Sequence, residues 1–354
     1  MIRFFIVISF LLTSLGFSQN SQLNKTEETK KAKKLAKRFM RKQKVPGMSI
    51  SISYQKQLIW SEGFGYASRN PKVKVDPSRT LFRIASISKS ITALILAKLV
   101  DDMLINLNES IYTYIPDYPK KKHDFTVREL AGHLAGIRSY RGNEFTLNKN
   151  LSISGGVALF ANDSLLFEPS TQFSYNTFGY VLLSDIMQKA ARKNFEDLAF
   201  ETIISPLQMT HTTVDAPDKN LPFQSKFYKT KWELSTPVNN EYKIAGGGYL
   251  STSEDLIKLG QEVINPSIIS KASLLELITS QKLKNGHSTG YGIGFSVEYT
   301  KSKKLKYYHT GGGVGASTAL IIYPEDALVI CILTNKSNVK IASFIEGLEA
   351  IFFN

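Results

Sequence analysis

Cysteine and histidine are both scarce in this chain. Its 354 residues include one cysteine, Cys331, and five histidines, so no disulfide can form within the chain. Cys331 stands in an apolar run, and this context predicts a buried small hydrophobic side chain. The histidines are scattered, and neither H-x-H nor H-E-x-x-H, spacings that a metal-dependent hydrolase would use, occurs among them. We therefore expect no metal site and no cofactor.

The N-terminus lacks a hydrophobic run long enough to span a bilayer comfortably. Its apolar run, Phe4 to Leu15, follows the basic start Met1-Ile2-Arg3 and precedes the small residues Gly16 and Ser18. This order is typical of a cleaved secretory signal peptide, so residues 1–18 are predicted to direct export to the periplasm or the cell exterior. An uncleaved N-terminal anchor is the alternative interpretation.

Acidic residues are outnumbered by basic ones. The chain has 44 lysines and arginines against 30 aspartates and glutamates, for a formal net charge of +14. Much of the excess lies in residues 25–44 and 301–306, and neither stretch alternates with aromatic residues as a nucleic-acid-binding surface would. We expect a solvated helix face, no nucleic-acid partner, and association with an anionic cell envelope as a further option. No pattern predicts the oligomeric state.

The composition is otherwise that of a globular chain, with 43% hydrophobic and 21% charged residues. Residues 19–36 are predicted to form a basic leader, and residues 37–353 one domain. Within that domain, residues 37–100 and 257–353 are predicted to form an α/β part, whereas the signals in residues 101–256 indicate an inserted, mostly helical lobe. The predicted fold class is α/β (α+β).

Local patterns predict the main elements of the α/β part. Alternation of apolar and polar residues predicts a hairpin of residues 48–54 and 58–66, with its turn at 55–57. In residues 86–100, apolar side chains occur on almost every face of the predicted helix, which indicates a buried central helix. Short strands near the C-terminus predict an antiparallel sheet, and a following amphipathic helix is expected to cover one sheet face. These strands are residues 291–299, 305–309, 316–323 and 327–334, and the helix spans residues 341–352.

The segment Ser86-Ile87-Ser88-Lys89 opens the predicted central helix. At positions i and i+3 of one turn, a hydroxyl and an ammonium share a face, so a lysine made neutral by burial can accept the serine proton. Free N–H groups at a helix N-terminus also favour the negative oxygen that forms on an attacked carbonyl. Ser86 is therefore a candidate nucleophile, with Lys89 as its base. A chance tetrapeptide in a soluble helix is the alternative.

Two further segments offer the remaining parts of an acyl-transfer site. Tyr175 is a candidate general base if nearby cations lower its pKa well below about 10; a core aromatic at the head of a helix is the alternative. The run His309-Thr310-Gly311-Gly312 ends a predicted strand, and its glycines let a substrate carbonyl approach the backbone. The N–H of Gly312 is a candidate partner for that of Ser86 in an oxyanion hole. A simple glycine-rich turn is the alternative.

Taken in order, the motifs Ser86-x-x-Lys89, Tyr175-x-Thr177 and His309-Thr310-Gly311 resemble those of the serine β-lactamase and penicillin-binding protein superfamily. The chain is most similar to the class C β-lactamase-related branch, with LACTB-like and DD-peptidase-like members. The similarity runs from about Lys37 to the C-terminus. Four other stretches resemble that branch: Val45–Gly47, Leu130–Ile137, Gly246–Thr252 and Tyr291–Gly294.

The resemblance implies a fold and a set of roles. The family's β-lactamase/transpeptidase-like fold is an antiparallel sheet flanked by helices, with a helical lobe that closes the cleft. Carried over to this chain, Ser86 is the nucleophile, Lys89 its proton acceptor, and Tyr175 the group that protonates the leaving group and later activates water. Ser86 and Gly312 supply the oxyanion N–H groups. The remaining motif residues are assigned to substrate binding: Asn176, Thr177, His309, Thr310 and Gly311.

Two departures from the family pattern bear on the substrate. The third place of Tyr-x-Asn holds Thr177, or Asn176 displaced by one, so the residue that would hold a substrate amide stays open. His309 replaces the lysine of Lys-Thr-Gly, and near neutral pH it is a poorer countercharge for a substrate carboxylate. Both departures fit peptidase or esterase members better than β-lactamases. A structural hydrogen-bonding role is the alternative for His309.

Together with the N-terminal signal, these motifs predict an exported serine hydrolase that forms an acyl-enzyme on Ser86 and acts on small or D-amino-acid peptides. Hydrolysis of β-lactams or carboxylesters by the same chemistry is an alternative. A catalytically silent protein that binds a ligand or forms filaments is the alternative from a different class, because a fold alone does not imply a function. No G-x-S-x-G elbow occurs, so an α/β-hydrolase is unsupported.

Overall fold

The computed structural model describes residues 18–217, 219 and 221–353. The predicted signal peptide, residues 1–18, lies outside the described residues except for Ser18, the first residue of helix α1. Within the described part of the chain, no helix combines the length and the apolar character that crossing a membrane would need.

The described residues form ten strands and ten α-helices, joined by shorter helical turns. The strands are β1 Gly47–Tyr54, β2 Gln57–Ser68, β3 Val73–Lys74, β4 Phe82–Arg83, β5 Thr213–Val214, β6 Tyr249–Ser251, β7 Ser296–Tyr299, β8 Leu305–Gly313, β9 Ala316–Tyr323 and β10 Leu328–Thr334. The helices are α1 Ser18–Gln43, α2 Ser88–Asp101, α3 Val127–Ala131, α4 Ile153–Ala158, α5 Phe178–Ala191, α6 Phe195–Ala199, α7 Ile244–Gly247, α8 Ser253–Ile264, α9 Lys271–Ile278 and α10 Ala342–Phe353. The 3-10 turns are Ala85–Ile87, Ile111–Thr113, Glu144–Thr146 and Glu241–Lys243, and the π-helical turn Phe200–Ile204 continues α6.

Seven strands form an antiparallel sheet in the order β3-β2-β1-β10-β9-β8-β7. Strand β1 pairs with β2 on one side and with β10 on the other, so segments from both ends of the chain meet at the centre of the sheet. The turn between β1 and β2 places Gln55 at φ 49° and Lys56 at φ 67°, the left-handed pair typical of a tight hairpin. The predicted hairpin and antiparallel C-terminal sheet are confirmed.

Alternate residues of the central strands face two different hydrophobic layers. Ile330 and Ile332 of β10 pack in one layer with residues of α1 and α10. Val329 and Cys331 pack in the other layer, which contains α2, α5 and α8. Cys331 is fully buried, as its apolar context predicted. The predicted cover of one sheet face by the C-terminal helix is also confirmed, and α1 lies beside that helix.

Helix α1 continues without interruption through residues 36 and 37, where the sequence predicted a boundary between leader and domain. Ala32 and Ala36 are fully buried. The Phe39 ring stacks on the Phe344 ring of α10 with 4.5 Å between their centroids. The second half of the basic helix therefore contributes to the hydrophobic layer on this side of the sheet.

Strand β7 is shorter than the predicted span of residues 291–299, because its ladder begins at Ser296. The segment before it packs against α2 instead. Gly294 has a φ of 73°, and a Cβ built there would lie 2.5 Å from the Ala93 Cβ and 2.6 Å from the Lys89 carbonyl oxygen. Glycine alone tolerates both the left-handed backbone and this close approach, so it fixes the segment beside Lys89.

The region predicted as a helical lobe, residues 101–256, also contributes to a small sheet. Strand β6 of this region pairs with β5 and with β4, which precedes the lobe. These strands have two or three residues each, too few for an alternating pattern to appear in the sequence. The pairing of Arg83 with Leu250 anchors the chain just before Ser86.

Candidate active site

Ser86 lies in the 3-10 turn immediately before α2, whereas the sequence predicted that it opens the α-helix itself. The preceding residue, Ala85, has a φ of 47°, a left-handed conformation that costs a residue with a Cβ about 1–3 kcal/mol. Packing holds the turn, because the Thr318 hydroxyl donates to the Ile84 carbonyl at 2.9 Å. The turn keeps Ser86 and Lys89 at i and i+3, where their side chains share a face.

Lys89 is fully buried in the first turn of α2. Its Nζ donates to the Gly246 carbonyl at 2.6 Å and lies 3.4 Å from both the Ser86 Oγ and the Thr177 Oγ1. Burial, followed by the positive charge of Lys243, lowers the Lys89 pKa from 10.5 to about 7, because desolvation disfavours the charged form. A large fraction of Lys89 is therefore a neutral amine near pH 7, able to accept the Ser86 proton.

Tyr175 lies next to these two residues, with its ring centroid 4.9 Å from the Lys89 Nζ. The residue is 39% exposed, but its hydroxyl faces protein and lies 3.5 Å from the His309 Nε2. Burial raises the Tyr175 pKa above 10, and a hydrogen bond with Ser86 offsets only part of the rise. Cations therefore do not lower this pKa as a tyrosine base would require. The protonated phenol suits a proton donor, whereas Lys89 suits the base.

His309 is buried behind Tyr175 in β8. Its Nδ1–H donates to the Thr310 carbonyl at 2.6 Å, which leaves Nε2 to accept from the Tyr291 hydroxyl at 3.2 Å. Burial, followed by the Lys89 charge, lowers the His309 pKa from 6.5 to about 3. The ring is therefore neutral, and these contacts favour the structural hydrogen-bonding role over a role as countercharge for a substrate.

A small cleft opens beside the nucleophile. Ser86, Thr177 and Gly312 all line it. Open space surrounds Gly312 where a Cβ would stand, so a ligand can approach its backbone closely. The structure thus brings the two proposed oxyanion residues to one cleft, and their joint role stays a prediction. Four other residues assigned to substrate binding lie outside this lining: Asn176, His309, Thr310 and Gly311.

Asn176 and Thr177 are neighbours with different surroundings. The Asn176 Oδ1 accepts from the Gly179 N–H at 2.6 Å, and its Nδ2 donates to the Ser174 carbonyl at 2.9 Å. These local bonds satisfy the side chain at the start of α5. Thr177 faces both the cleft and Lys89. Thr177 is therefore the one of the two that is placed to meet a substrate.

Several cleft residues carry no recognisable signal in the sequence. Lys243, in the 3-10 turn before α7, lines the cleft together with Tyr140. Arg83 lines it from β4, with its Nε 2.6 Å from the Asp215 carboxylate. These residues are far apart along the chain, so no spacing rule connects them. The stretch Gly246–Thr252, which supported the family resemblance, is the only signal close to Lys243.

His133 is a further buried residue that the sequence left without a role, although it lies in the stretch Leu130–Ile137. Its ring centroid is 4.5 Å from that of Tyr175, and its Nε2 has no hydrogen-bond partner among the described residues. Burial lowers the His133 pKa well below 6.5, so the ring is neutral. Elsewhere within residues 18–217, 219 and 221–353, no three histidine, cysteine or carboxylate side chains are grouped closely enough to hold a metal ion.

Comparison with known proteins finds relatives over most of the chain. The Beta-lactamase family model matches residues 32–343. The mitochondrial serine beta-lactamase-like protein LACTB of Homo sapiens is 29% identical over 380 aligned positions, which cover 79% of this chain and 69% of that protein. These matches confirm the resemblance inferred from the three motifs.

Solved structures share the same fold. The octameric penicillin-binding protein homologue from Pyrococcus abyssi has a TM-score of 0.79 at 26% identity, over 91% of this chain and 76% of that chain. The Beta-lactamase/D-alanine carboxypeptidase from Pseudomonas syringae has a TM-score of 0.79 at 19% identity, over 92% of this chain and 99% of that chain. The predicted fold, an antiparallel sheet flanked by helices, is confirmed.

Proposed function

The chain belongs to the Beta-lactamase family, and from that premise we propose that it is a serine hydrolase that forms an acyl-enzyme on Ser86. One observation carries the proposal. The Ser86 Oγ lies 3.4 Å from a buried lysine amine, Lys89, whose pKa is about 7, and a protonated Tyr175 lies beside both. A candidate nucleophile, base and proton donor therefore lie together, and the nucleophile lines the cleft.

In the first half of the reaction, the Lys89 amine removes the Ser86 proton as the Oγ attacks the substrate carbonyl. The developing negative oxygen accepts hydrogen bonds from the N–H groups of Ser86 and Gly312. As the bond to the leaving group breaks, the Tyr175 hydroxyl donates its proton to that group and regains one from the Lys89 ammonium. The net result transfers the serine proton to the leaving group and leaves an ester on Ser86.

In the second half, water attacks the ester as Tyr175 passes its proton to the Lys89 amine and accepts one from the water, and the Ser86 Oγ then leaves with the proton returned by Lys89. The same two groups thus serve in both directions. Because burial raises its pKa, the Tyr175 phenol is a weak acid that stays protonated near neutral pH, so it gives up one proton only as it accepts another. This order agrees with the opposite pKa shifts of Lys89 and Tyr175.

The substrate that we propose is a small peptide, including peptides of D-amino acids as in DD-carboxypeptidases. A neutral His309 and a threonine at position 177 stand where β-lactamases of this branch have lysine and asparagine. The relative from Pseudomonas syringae, named as a β-lactamase and D-alanine carboxypeptidase, supports this class only through its fold. Turnover of a D-Ala-D-Ala peptide, nitrocefin and p-nitrophenyl butyrate should rank the peptide first, and faster turnover of either other compound would replace the peptidase assignment.

Covalent labelling tests the nucleophile. Treatment with a fluorophosphonate probe, followed by peptide mass spectrometry, should locate a single adduct on Ser86, and Ser86→Ala should abolish it. Ser88→Ala is a matched control, because the Ser88 hydroxyl two residues away accepts from the Tyr249 N–H and is fully buried. Labelling that persists in Ser86→Ala would exclude Ser86. A folded wild-type protein without any adduct would favour the catalytically silent alternative.

We also propose that the protein is exported. The basic start, the apolar run and the small residues before residue 19 support this proposal. Expression of the whole chain with a C-terminal tag in a bacterial host, followed by fractionation and intact-mass measurement, tests it. Recovery outside the cytoplasm with a mass that corresponds to cleavage after Ser18 is expected. An intact N-terminus in the membrane fraction would favour an anchor, and an intact chain in the cytoplasm would contradict export.

A further inference from the structure

Lys243 is a buried cation beside the nucleophile that has no carboxylate partner. The residue is 5% exposed and lines the cleft with Ser86. Its Nζ donates to the Phe145 carbonyl at 3.1 Å. It makes no other hydrogen bond and no ion pair with a residue that the structure describes. The ring centroids of Tyr140, Tyr242 and Phe145 lie 5.4, 5.5 and 5.6 Å from the Nζ.

The other fixed cation in this wall of the cleft is already neutralised. The Arg83 Nε donates to the Asp215 Oδ2 at 2.6 Å, and the Asn240 Nδ2 donates to the same oxygen at 2.5 Å. A second nitrogen of Arg83 donates to the Val314 carbonyl at 2.9 Å. Asp215 therefore compensates Arg83 at short range, whereas it acts on Lys243 only as a more distant charge.

Lys243 keeps its charge near neutral pH despite its burial. Desolvation, followed by the positive charge of Arg83, lowers its pKa from 10.5 to about 8, which still leaves most of the side chain protonated at pH 7. A buried charge without a partner is unfavourable in the empty cleft. A negatively charged ligand group that enters the cleft would remove that penalty and gain a charge-assisted hydrogen bond.

The two other basic side chains near Ser86 cannot supply this positive charge. His309 is neutral, because its pKa is about 3. Lys89 must be neutral to accept the serine proton, and its Nζ already donates to the Gly246 carbonyl. Among the described residues around Ser86, the uncompensated positive charge is therefore that of Lys243.

We propose that Lys243 binds an anionic group of the substrate, a carboxylate that lies close to the scissile carbonyl. This inference rests on the proposed function and narrows its substrates to acyl compounds that carry negative charge. The cleft thus recognises an anion through a lysine that precedes α7, and not through the strand residue His309.

Boronic acids, which form reversible adducts with a serine nucleophile, provide the test. We would measure the Kd of 3- and 4-carboxyphenylboronic acid and of their two carboxamides by calorimetry. The proteins are the wild type, Lys243→Met, Lys243→Gln, Lys243→Arg and Lys336→Met. Lys336 is the matched control, because it is also partly buried and its Nζ donates to a backbone carbonyl, that of Gln43 at 2.7 Å, but it does not line the cleft.

For at least one isomer, the carboxylate should bind the wild type and Lys336→Met about tenfold more tightly than its carboxamide, a difference that one charged contact supplies. The ratio of the carboxamide Kd to the carboxylate Kd should fall to about one in Lys243→Met and Lys243→Gln. Lys243→Arg should retain part of the preference for the carboxylate. Equal affinities in the wild type, or a preference that survives loss of the charge, would overturn the proposal. If neither the carboxylates nor the carboxamides bind folded wild type, the serine nucleophile itself fails and this inference falls with it.

Discussion

Lys89 shows how burial changes the chemistry of one side chain. Its Nζ contacts a carbonyl and two hydroxyls, all neutral groups, and the charge that acts on its pKa is the like charge of Lys243. None of these groups carries a negative charge that would stabilise the ammonium form, so the Lys89 pKa falls to about 7. The same surroundings raise the pKa of Tyr175, so the two groups assume complementary roles.

The pH dependence of the reaction follows from this pKa. We expect kcat/KM for an ester substrate to rise with pH through about 7, because Lys89 must lose its proton before it can accept that of Ser86. Lys89→Met should lower kcat/KM by about 10²- to 10⁴-fold. A profile measured between about pH 5 and 9 checks this, and a flat acid limb would contradict Lys89 as the base.

Replacement of Lys89 should raise stability although it lowers activity. The folded pKa of about 7 lies below the ordinary 10.5, so between these values the unfolded chain binds one more proton and the free energy of unfolding rises with pH. Below pH 7 the penalty of the buried charge is fully present. Lys89→Met should therefore raise Tm, and raise it more at about pH 6 than at pH 9. Thermal scans check this, and a Tm lowered at both pH values would contradict it.

Short elements position the catalytic side chains. The 3-10 turn with Ser86 depends on the β4–β6 pairing before it and on the left-handed Ala85. The segment that precedes β7 packs on α2, and the Ser90 hydroxyl donates to the Gly294 carbonyl at 2.7 Å. The geometry of Ser86 and Lys89 is therefore held by segments remote in sequence.

Gly294→Ala tests that packing. The new Cβ would lie 2.5 Å from the Ala93 Cβ in a backbone with a φ of 73°, so we expect a loss of roughly 2–4 kcal/mol in the free energy of unfolding and reduced activity. Gly286→Ala is the matched control, because Gly286 has a φ of 83° but no atom within 4 Å of a Cβ. It should lose only about 1–2 kcal/mol. Urea unfolding of both variants measures the difference, and equal losses would exclude the packing contribution.

At the level of the whole molecule, the two ends of the chain stabilise one face of the sheet together. Helix α1 packs beside α10 through Ala32, Ala36 and the Phe39–Phe344 stack. The basic leader predicted for residues 19–36 therefore includes part of the hydrophobic layer. Lys30, Lys31 and Lys34 of the same helix are exposed.

Truncation tests how much the leader contributes. Removal of residues 1–36 should lower the free energy of unfolding by about 2–4 kcal/mol, because the buried methyl groups of Ala32 and Ala36 and the partly buried Leu35 side chain are lost from this layer. Removal of residues 1–25 is the control, since it leaves both alanines in place and should change stability less. Urea unfolding measures both, and an unchanged stability after the longer truncation would show that residues 19–36 are a dispensable leader.

Patterns within short stretches of sequence predicted much of this fold. The alternation of residues 48–54, the helical spacing of residues 341–352 and the i, i+3 relation of Ser86 and Lys89 all express contacts between near neighbours. The two- and three-residue strands around Ser86 were missed, because a pattern needs more residues than they contain. The predicted strand over residues 291–299 was too long, because Gly294 packs closely against α2 and Gly292 packs closely against Leu277 of α9.

The chain order of Ser86, Tyr175 and His309 was sufficient to identify the family and to nominate the nucleophile. The protonation states and the charge of the cleft required the tertiary structure. Lys89 takes its pKa from burial and from the charge of Lys243, which is remote in sequence, and His309 is neutral for the same kind of reason. Desolvation is a property of the packed interior, so no local pattern encodes it, and Lys243 is an isolated lysine in the sequence but an unpaired charge in the fold.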